Sequence, residues 1–250
     1  MNDVSDWWRT KIIDMEPGKI NLRGTPIQDL IGTLSFTEMI WFMIRGDRPS
    51  PDQLILFEAA LVSAVDHGPQ APSIAAARMA VTCGLPLNNA MASAVNMLGD
   101  VHGGAGQQAV ELFHWIAEQD TDTESALAQW RVDHGKMVPG YGHRFHKPTD
   151  PRAPKLMDMV DQAVSKGACQ GHYQRIALDI EKTLGHVPMN IDGATGVIYA
   201  ELGFAPALAR GLFCLSRSVG ILAHAWEQTE QGGRNKGPTP PSYRWTYDGD

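Results

Sequence analysis

Ser35-Phe-Thr-Glu38-Met-Ile-Trp-Phe-Met-Ile44-Arg-Gly46 is followed a few residues later by Ser50-Pro51-Asp52-Gln53, giving two helix beginnings in a row. In Ser-x-x-Glu the serine side chain and the glutamate side chain each satisfy a backbone amide left open at the helix start. The apolar run Met39 to Ile44 fills the helix, and Gly46 supplies a left-handed stop. The second start repeats the logic with Pro51 at the first helical position, where a missing N–H costs nothing. Leu54, Phe57, Leu61 and Val65 then recur at helical spacing, and the helix is expected to run to Gly68-Pro69, with His67 as a C-terminal capping histidine.

Working outward, the uncharged run between Arg78 and Asp100 holds Gly84, Pro86, Asn88, Asn89 and Asn96, each costly in lipid. It reads as buried helices around a turn. Thr121-Asp-Thr-Glu124 opens a further helix through Leu127 and Trp130 to Gly135. Val160 to Leu184 reads as helix broken around Gly167 to Gly171, and Leu208 to Gln231 as the longest helix. On that helix Leu212, Leu215, Val219, Leu222 and Trp226 form one apolar stripe, while Arg217, Gly220 and His224 share a second face. Only Lys19 to Arg23 and the tail, with Tyr243, Trp245 and Tyr247, alternate like strands. The fold is expected to be all-α.

A chain of 250 residues is one large domain or two smaller ones at roughly 100–200 residues each. With 21 Lys and Arg against 28 Asp and Glu, the net charge is −7, which argues against nucleic-acid binding. Cys83, Cys169 and Cys214 lie far apart, so neither a disulfide framework nor a zinc knuckle is expected. The N-terminus lacks a basic start followed by an apolar stretch. The expectation is a cytoplasmic protein without a membrane span.

Three glycine-rich segments carry ionisable groups: 99–106, 138–152 and 188–196. His102, in Gly99-Asp-Val-His102-Gly-Gly-Ala-Gly106, sits where a backbone can approach a ligand closely, placed to donate to a developing oxyanion. The alternative is a helix-ending turn with an incidental histidine. Gly104-Ala-Gly106-Gln-Gln-Ala109 also fits a GxGxxA pattern, but no βαβ unit surrounds it. His143, Arg144, His146, Lys147 and Arg152 make a basic cluster in an acidic chain, which suits a carboxylate ligand or a solvated loop. His143 and His146 as a metal pair lack a completing ligand set. Asp192, just before a helix, is either a general base or an N-cap. Arg217 on the last helix fits a carboxylate ligand or a surface ion pair. Nucleophile-elbow, P-loop and HExxH motifs are absent. Two or three histidines, one aspartate and several arginines suit acid–base chemistry on a polycarboxylate.

From about Arg23 to Gln231 the chain resembles the citrate synthase superfamily. The matching segments are Arg23-Gly-Thr-Pro-Ile-Gln-Asp-Leu30, His102-Gly-Gly-Ala, Pro139-Gly-Tyr-Gly-His143, Thr149-Asp-Pro-Arg152, Asn190-Ile-Asp192 and Ser216-Arg217-Ser-Val-Gly-Ile-Leu. The resemblance implies a large helical domain (1–104 and 205–250) interrupted by a smaller one (105–204). It implies Asp192 as the base at the acetyl methyl, His102 at the enol oxygen and His143 exchanging a proton with the hydroxyl or keto oxygen. Arg152 and Arg217 would grip carboxylates with help from His67, and Arg234 would reach across a dimer interface. Backbone around Val138, Gly140, Tyr141 and Asn190 would face coenzyme A.

Asp66-His67-Gly-Pro, Gly142-His143-Arg144 and His224 with Gln228 resemble the lyase module of ATP-citrate lyase, whereas His102 resembles the synthases. The reading is a free-standing citryl-CoA lyase forming acetyl-CoA and oxaloacetate, in which His143 removes the hydroxyl proton. Coenzyme A enters as thioester substrate, and neither a tightly bound cofactor, a metal nor ATP is expected. A citrate or 2-methylcitrate synthase and a non-catalytic CoA- or citrate-binding protein are the alternatives. A homodimer or higher homo-oligomer is implied, and the chain, beginning near the Arg23 segment, is expected to be a minimal catalytic module.

Overall fold

The computed structural model describes residues 4–234 and 242–249. Both helix starts form as read. Ser35 and Glu38 exchange their hydrogen bonds at the start of α3 (Phe36–Arg45), which follows the short α1 (Val4–Trp7) and α2 (Ile27–Leu30). Gly46 ends α3 at φ +82°. Ser50 and Gln53 do the same for α4 (Pro51–Ser63). Trp41 of α3 meets Phe57 of α4 and Phe204 edge-on, at centroid distances of 5.4 and 5.2 Å, and all three rings are buried.

α4 stops earlier than expected, at Ser63, because another helix takes up its closing carbonyls. That helix is α12 (Pro206–Gln231). Ser216 Oγ donates to Leu61 O, Arg217 Nε to Ala64 O at 3.1 Å, and the Gly220 amide to Val65 O at 3.2 Å. The chain therefore leaves α4 along α12, and His67 turns toward a cleft instead of capping a helix.

The predicted apolar stripe of α12 is inverted. Leu212 is buried as expected, but the other buried residues are Ala209, Ser216, Arg217, Gly220, Ile221 and Ala225. Leu215, Leu222, Val219 (60% exposed) and Trp226 (52% exposed) face outward. Beside residues 61–66 the neighbouring backbone lies so close that the helix presents Gly220 and the hydrogen-bonding side chains of Ser216 and Arg217. By length and composition α12 is apolar enough to cross a membrane, but here it packs against α4, α5 (Pro72–Thr82), α6 (Leu87–Val95) and α7 (Ala105–Ala117). α5 and α6 are the anticipated helix pair around a turn.

α8 (Thr123–His134) begins one residue later than read, with Asp122 as its cap, accepting from the Ser125 amide at 2.9 Å. α9 (Arg152–Ser165) and α10 (His172–Leu184) flank the predicted break. α11 (Ile191–Glu201) corrects a larger expectation: most of the glycine-rich segment 188–196 is helix. It is buried on nearly every side, among α4, α7, α9 and α10. Its glycines serve close packing, since a Cβ on Gly193 would lie 2.4 Å from Gly140 O.

The strands β1 (Ile13–Glu16), β2 (Lys19–Leu22) and β3 (Thr25–Pro26) form an antiparallel meander in that order. β1, exposed at every position, carries no burial pattern to read. The tail forms no strand over 242–249, and Tyr243, Trp245 and Tyr247 are exposed. The larger core cluster spans Trp41 to Leu212, drawing on both sequence stretches assigned to different domains, and a second joins α5, α6 and the end of α12.

Gly220 and Gly211 give the packing a test on one helix. A Cβ on Gly220 would meet Val65 O at 2.2 Å, whereas one on Gly211 meets nothing within 4 Å. Gly220→Ala should cost about 1–3 kcal/mol by overpacking, read as a lower urea midpoint. Gly211→Ala should instead raise it by about 0.5–1 kcal/mol through helix propensity.

Candidate active site

A cleft of about 900 Å³ opens beside α12. Its wall brings together six of the seven residues expected to act on or grip the substrate: His67, His102, His143, Arg152, Asp192 and Arg217. They arrive from six places: the stretch of chain after α4, the turn before α7, the loop before α9, and the helices α9, α11 and α12.

Asp192 lies in the first turn of α11 and is not its cap. That role belongs to Asn190, whose Oδ1 accepts from the amides of Asp192 (2.9 Å) and Gly193 (3.2 Å). The Asp192 carboxyl is thus left over and accepts no hydrogen bond from the described residues. Burial pushes its pKa up, against the pull of Arg217, Arg152 and His67. A carboxyl that holds its proton more tightly than usual is suited to give or take a proton at carbon.

His102 is positioned by Ser73 at the start of α5. The Ser73 amide donates to His102 Nε2 at 3.2 Å, and Ser73 Oγ lies 3.0 Å from the same nitrogen. The neutral ring therefore carries its proton on Nδ1. Burial, with Arg217 and His67 adding, lowers its pKa and keeps the ring neutral. Such a ring is a hydrogen-bond donor for a developing enol oxygen.

His143 is turned by its own loop. The amides of Phe145 (3.1 Å) and His146 (3.0 Å) both donate to its Nδ1. Its Nε2 lies 3.2 Å from His67 Nε2. Burial lowers its pKa; Asp150 opposes that, while His146, His67 and Arg152 add to it.

The two arginines differ. Arg152 is held by Asp150, whose oxygens accept from Nε at 3.0 Å and Nη2 at 2.9 Å. Burial works to raise the Asp150 pKa, but Arg152 outweighs it and keeps the carboxylate ionised. Arg217, 4% exposed, spends only its Nε on Ala64 O and rests over the Phe213 ring at 4.8 Å. Burial lowers its pKa, with Asp192 and Asp66 opposing, yet a guanidinium stays charged. Its remaining N–H groups suit a carboxylate in the cleft.

Val138, Gly140, Tyr141 and Asn190 are outside the cleft wall. They clamp the 138–142 loop onto the start of α11: the Asn190 amide donates to Gly140 O at 2.9 Å, Asn190 Nδ2 to Gly142 O, and Tyr141 Oη to Ala177 O at 2.7 Å. Arg234 is exposed beyond the end of α12 and does not reach the cleft wall.

His143, His146 and Asp150 lie within metal-binding reach of one another. Two of the three already spend their lone pairs: Asp150 accepts from Arg152 and the Ile191 amide, and His143 Nδ1 from two amides. The set does not fit a cation. Sequence reasoning missed Ser73, Asp150 and Phe213 as site residues. A serine beside a helix-starting proline gives no local signal. Asp150, two residues before Arg152, was visible only as part of a motif.

A helical frame that converges two arginines, three histidines and a buried carboxyl on one cleft is equipped for acid–base chemistry on a polyanion. Residues 43–239 match the citrate synthase C-terminal domain, and the chain belongs to the citrate synthase family. The citrate synthase of Deinococcus radiodurans is 30% identical over 196 residues, which are 76% of this chain and 51% of that protein. The chain thus spans about half the length of the curated relatives it matches. The citryl-CoA lyase of Hydrogenobacter thermophilus is 30% identical, with a TM-score of 0.88 over 97% of this chain and 95% of that one. An ATP citrate lyase from Methanosaeta concilii, solved with (3S)-citryl-CoA, matches all of this chain over 45% of its own at a TM-score of 0.83. At 19% identity that likeness shows the fold alone.

The raised pKa of Asp192 makes a stability prediction. A carboxyl that binds its proton more tightly when folded destabilises the fold once pH passes its unfolded value of ~3.9. Asp192→Asn should therefore raise the melting temperature at pH 7–8, and the gain should shrink as pH falls toward the carboxylate range. A lower melting temperature at neutral pH would show that the arginines outweigh the burial.

Proposed function

We propose that this chain cleaves citryl-CoA to acetyl-CoA and oxaloacetate. The observation that carries the reading is the near end-to-end likeness, 97% of one chain and 95% of the other, to the Hydrogenobacter thermophilus citryl-CoA lyase. The cleft supports it chemically. Arg217 and Arg152 take substrate carboxylates, and His102 Nδ1–H takes the thioester oxygen. The hydroxyl sits at the edge formed by His143 and His67. When the hydroxyl loses its proton, its electron pair becomes the keto bond of oxaloacetate. The carbon–carbon pair passes to the thioester as an enolate held by His102 Nδ1–H, and Asp192 delivers a proton to the terminal carbon. All these groups are side chains of the protein; coenzyme A enters as part of the substrate, and no tightly bound cofactor is needed.

The same residues run the condensation by microscopic reversibility, and the curated relatives named citrate synthase and citrate/2-methylcitrate synthase favour that second reading. The outward row Leu215, Val219, Leu222 and Trp226 on α12 supports a homodimer through this face, since monomers seldom expose a contiguous apolar patch.

Purified protein should release oxaloacetate from citryl-CoA, coupled to NADH oxidation by malate dehydrogenase. It should release little free thiol from acetyl-CoA plus oxaloacetate. The opposite pattern makes it a synthase, and citrate binding without turnover in either tube makes it a binding protein. Because a proton-transfer group contributes ~10²–10⁴-fold, Asp192→Ala should lose at least a hundredfold in kcat.

A further inference from the structure

His67 and His143 meet in a way that assigns protons. Their Nε2 atoms are 3.2 Å apart, the ring centroids 5.3 Å apart, and the ring planes within 6° of parallel. The nitrogens are much closer than the centroids, so the rings point at each other edge to edge rather than lying face to face. That is the geometry of one N–H···N hydrogen bond. His143 Nδ1 already accepts the amides of Phe145 and His146, so the neutral His143 ring has its proton on Nε2 and is the donor. His67 Nε2 is then the acceptor, so the ring lone pair at this edge of the cleft belongs to His67.

We infer that His67 is the base that takes the hydroxyl proton during cleavage, while His143 donates a hydrogen bond to the same oxygen. This rests on the citryl-CoA reading and moves the base role that the family resemblance implies for His143 onto its neighbour. A hydroxyl inserted between the rings keeps both contacts: His143 Nε2–H points to the oxygen, and the O–H points to His67 Nε2. The O–H bond breaks toward His67, the oxygen's pair forms the keto bond, and the carbon–carbon pair goes to the thioester enolate. Asp192 then protonates the carbon, which leaves His67 cationic and Asp192 anionic.

Those two groups already interact, since a charged His67 favours the ionised Asp192. Cleavage thus ends, and condensation begins, with an attracted pair. The groups around His67 are Asp66 on its own segment, His143 and His146 from the loop before α9, His102 from the turn before α7, and Asp192 from α11. His143 carries a ring that its own loop has turned away from base chemistry.

The test compares His67→Gln with His143→Gln, because glutamine can still donate a hydrogen bond but cannot act as a base at neutral pH. In citryl-CoA cleavage His67→Gln should lose about 10²–10⁴-fold in kcat with little change in KM. His143→Gln should lose about tenfold. Added imidazole should restore turnover to His67→Ala and not to His143→Ala. If His143→Gln is the variant that collapses, if both fall equally, or if imidazole rescues only His143→Ala, the assignment is overturned. Wild-type protein that turns over in neither direction overturns the citryl-CoA reading itself. Wild-type protein that only condenses moves the same comparison to that direction, where the proton donor is the same group.

Discussion

Three successive residues of chain are held by one face of α12. Arg217 Nε donates to Ala64 O, the Gly220 amide donates to Val65 O, and His224 Nε2 lies 3.2 Å from Asp66 Oδ1. The contacts fall at i, i+3 and i+7, which is one side of a helix. This seam ends α4 by satisfying carbonyls that a helix terminus leaves open. It also delivers His67 to the cleft and fixes Arg217 beside it. The closeness depends on Gly220, above which a side chain has no room.

The seam also sets the electrostatics. Lodging Arg217 in the protein costs solvation, which its pKa registers as a lowering, and burial of Asp192 costs solvation in the other direction. Each lies in the field of the other, so opposite charges share one partly dry cleft. In that setting a charge–charge contact is stronger than in water, which favours a polycarboxylate that brings its own charge to Arg217 and Arg152. The Asp150 carboxylate serves two ends of this arrangement, holding Arg152 and accepting the Ile191 amide at the start of α11. The base of one helix and the arginine of another are thereby tied together.

Much of this is local and could be read from the sequence. Ser35 with Glu38, Ser50 with Gln53, and the stop at Gly46 depend on residues within a few positions, and they form as read. Glycines beside ionisable groups marked the segments that meet at the cleft. What failed depends on distant partners. Gly193 and Gly196 looked like loop residues because glycine signals a turn by itself, but here it admits a neighbouring backbone to a buried helix. The face of α12 was inverted because Arg217 and Gly220 pack against carbonyl groups, which no hydropathy pattern reports. His67 could be placed near a helix end, but its pairing with His143 joins positions far apart in sequence. Ser73 had no signal at all.

The central claim is that Asp192 protonates the carbon released when a carbon–carbon bond breaks in this cleft. Cleavage of citryl-CoA in D2O, with the acetyl-CoA product read by mass spectrometry at early times, tests it most directly. The account predicts one deuterium in the acetyl methyl group for the wild-type protein and almost no product from Asp192→Asn. Acetyl-CoA formed by Asp192→Asn at the wild-type rate, with the same single deuterium, would contradict it.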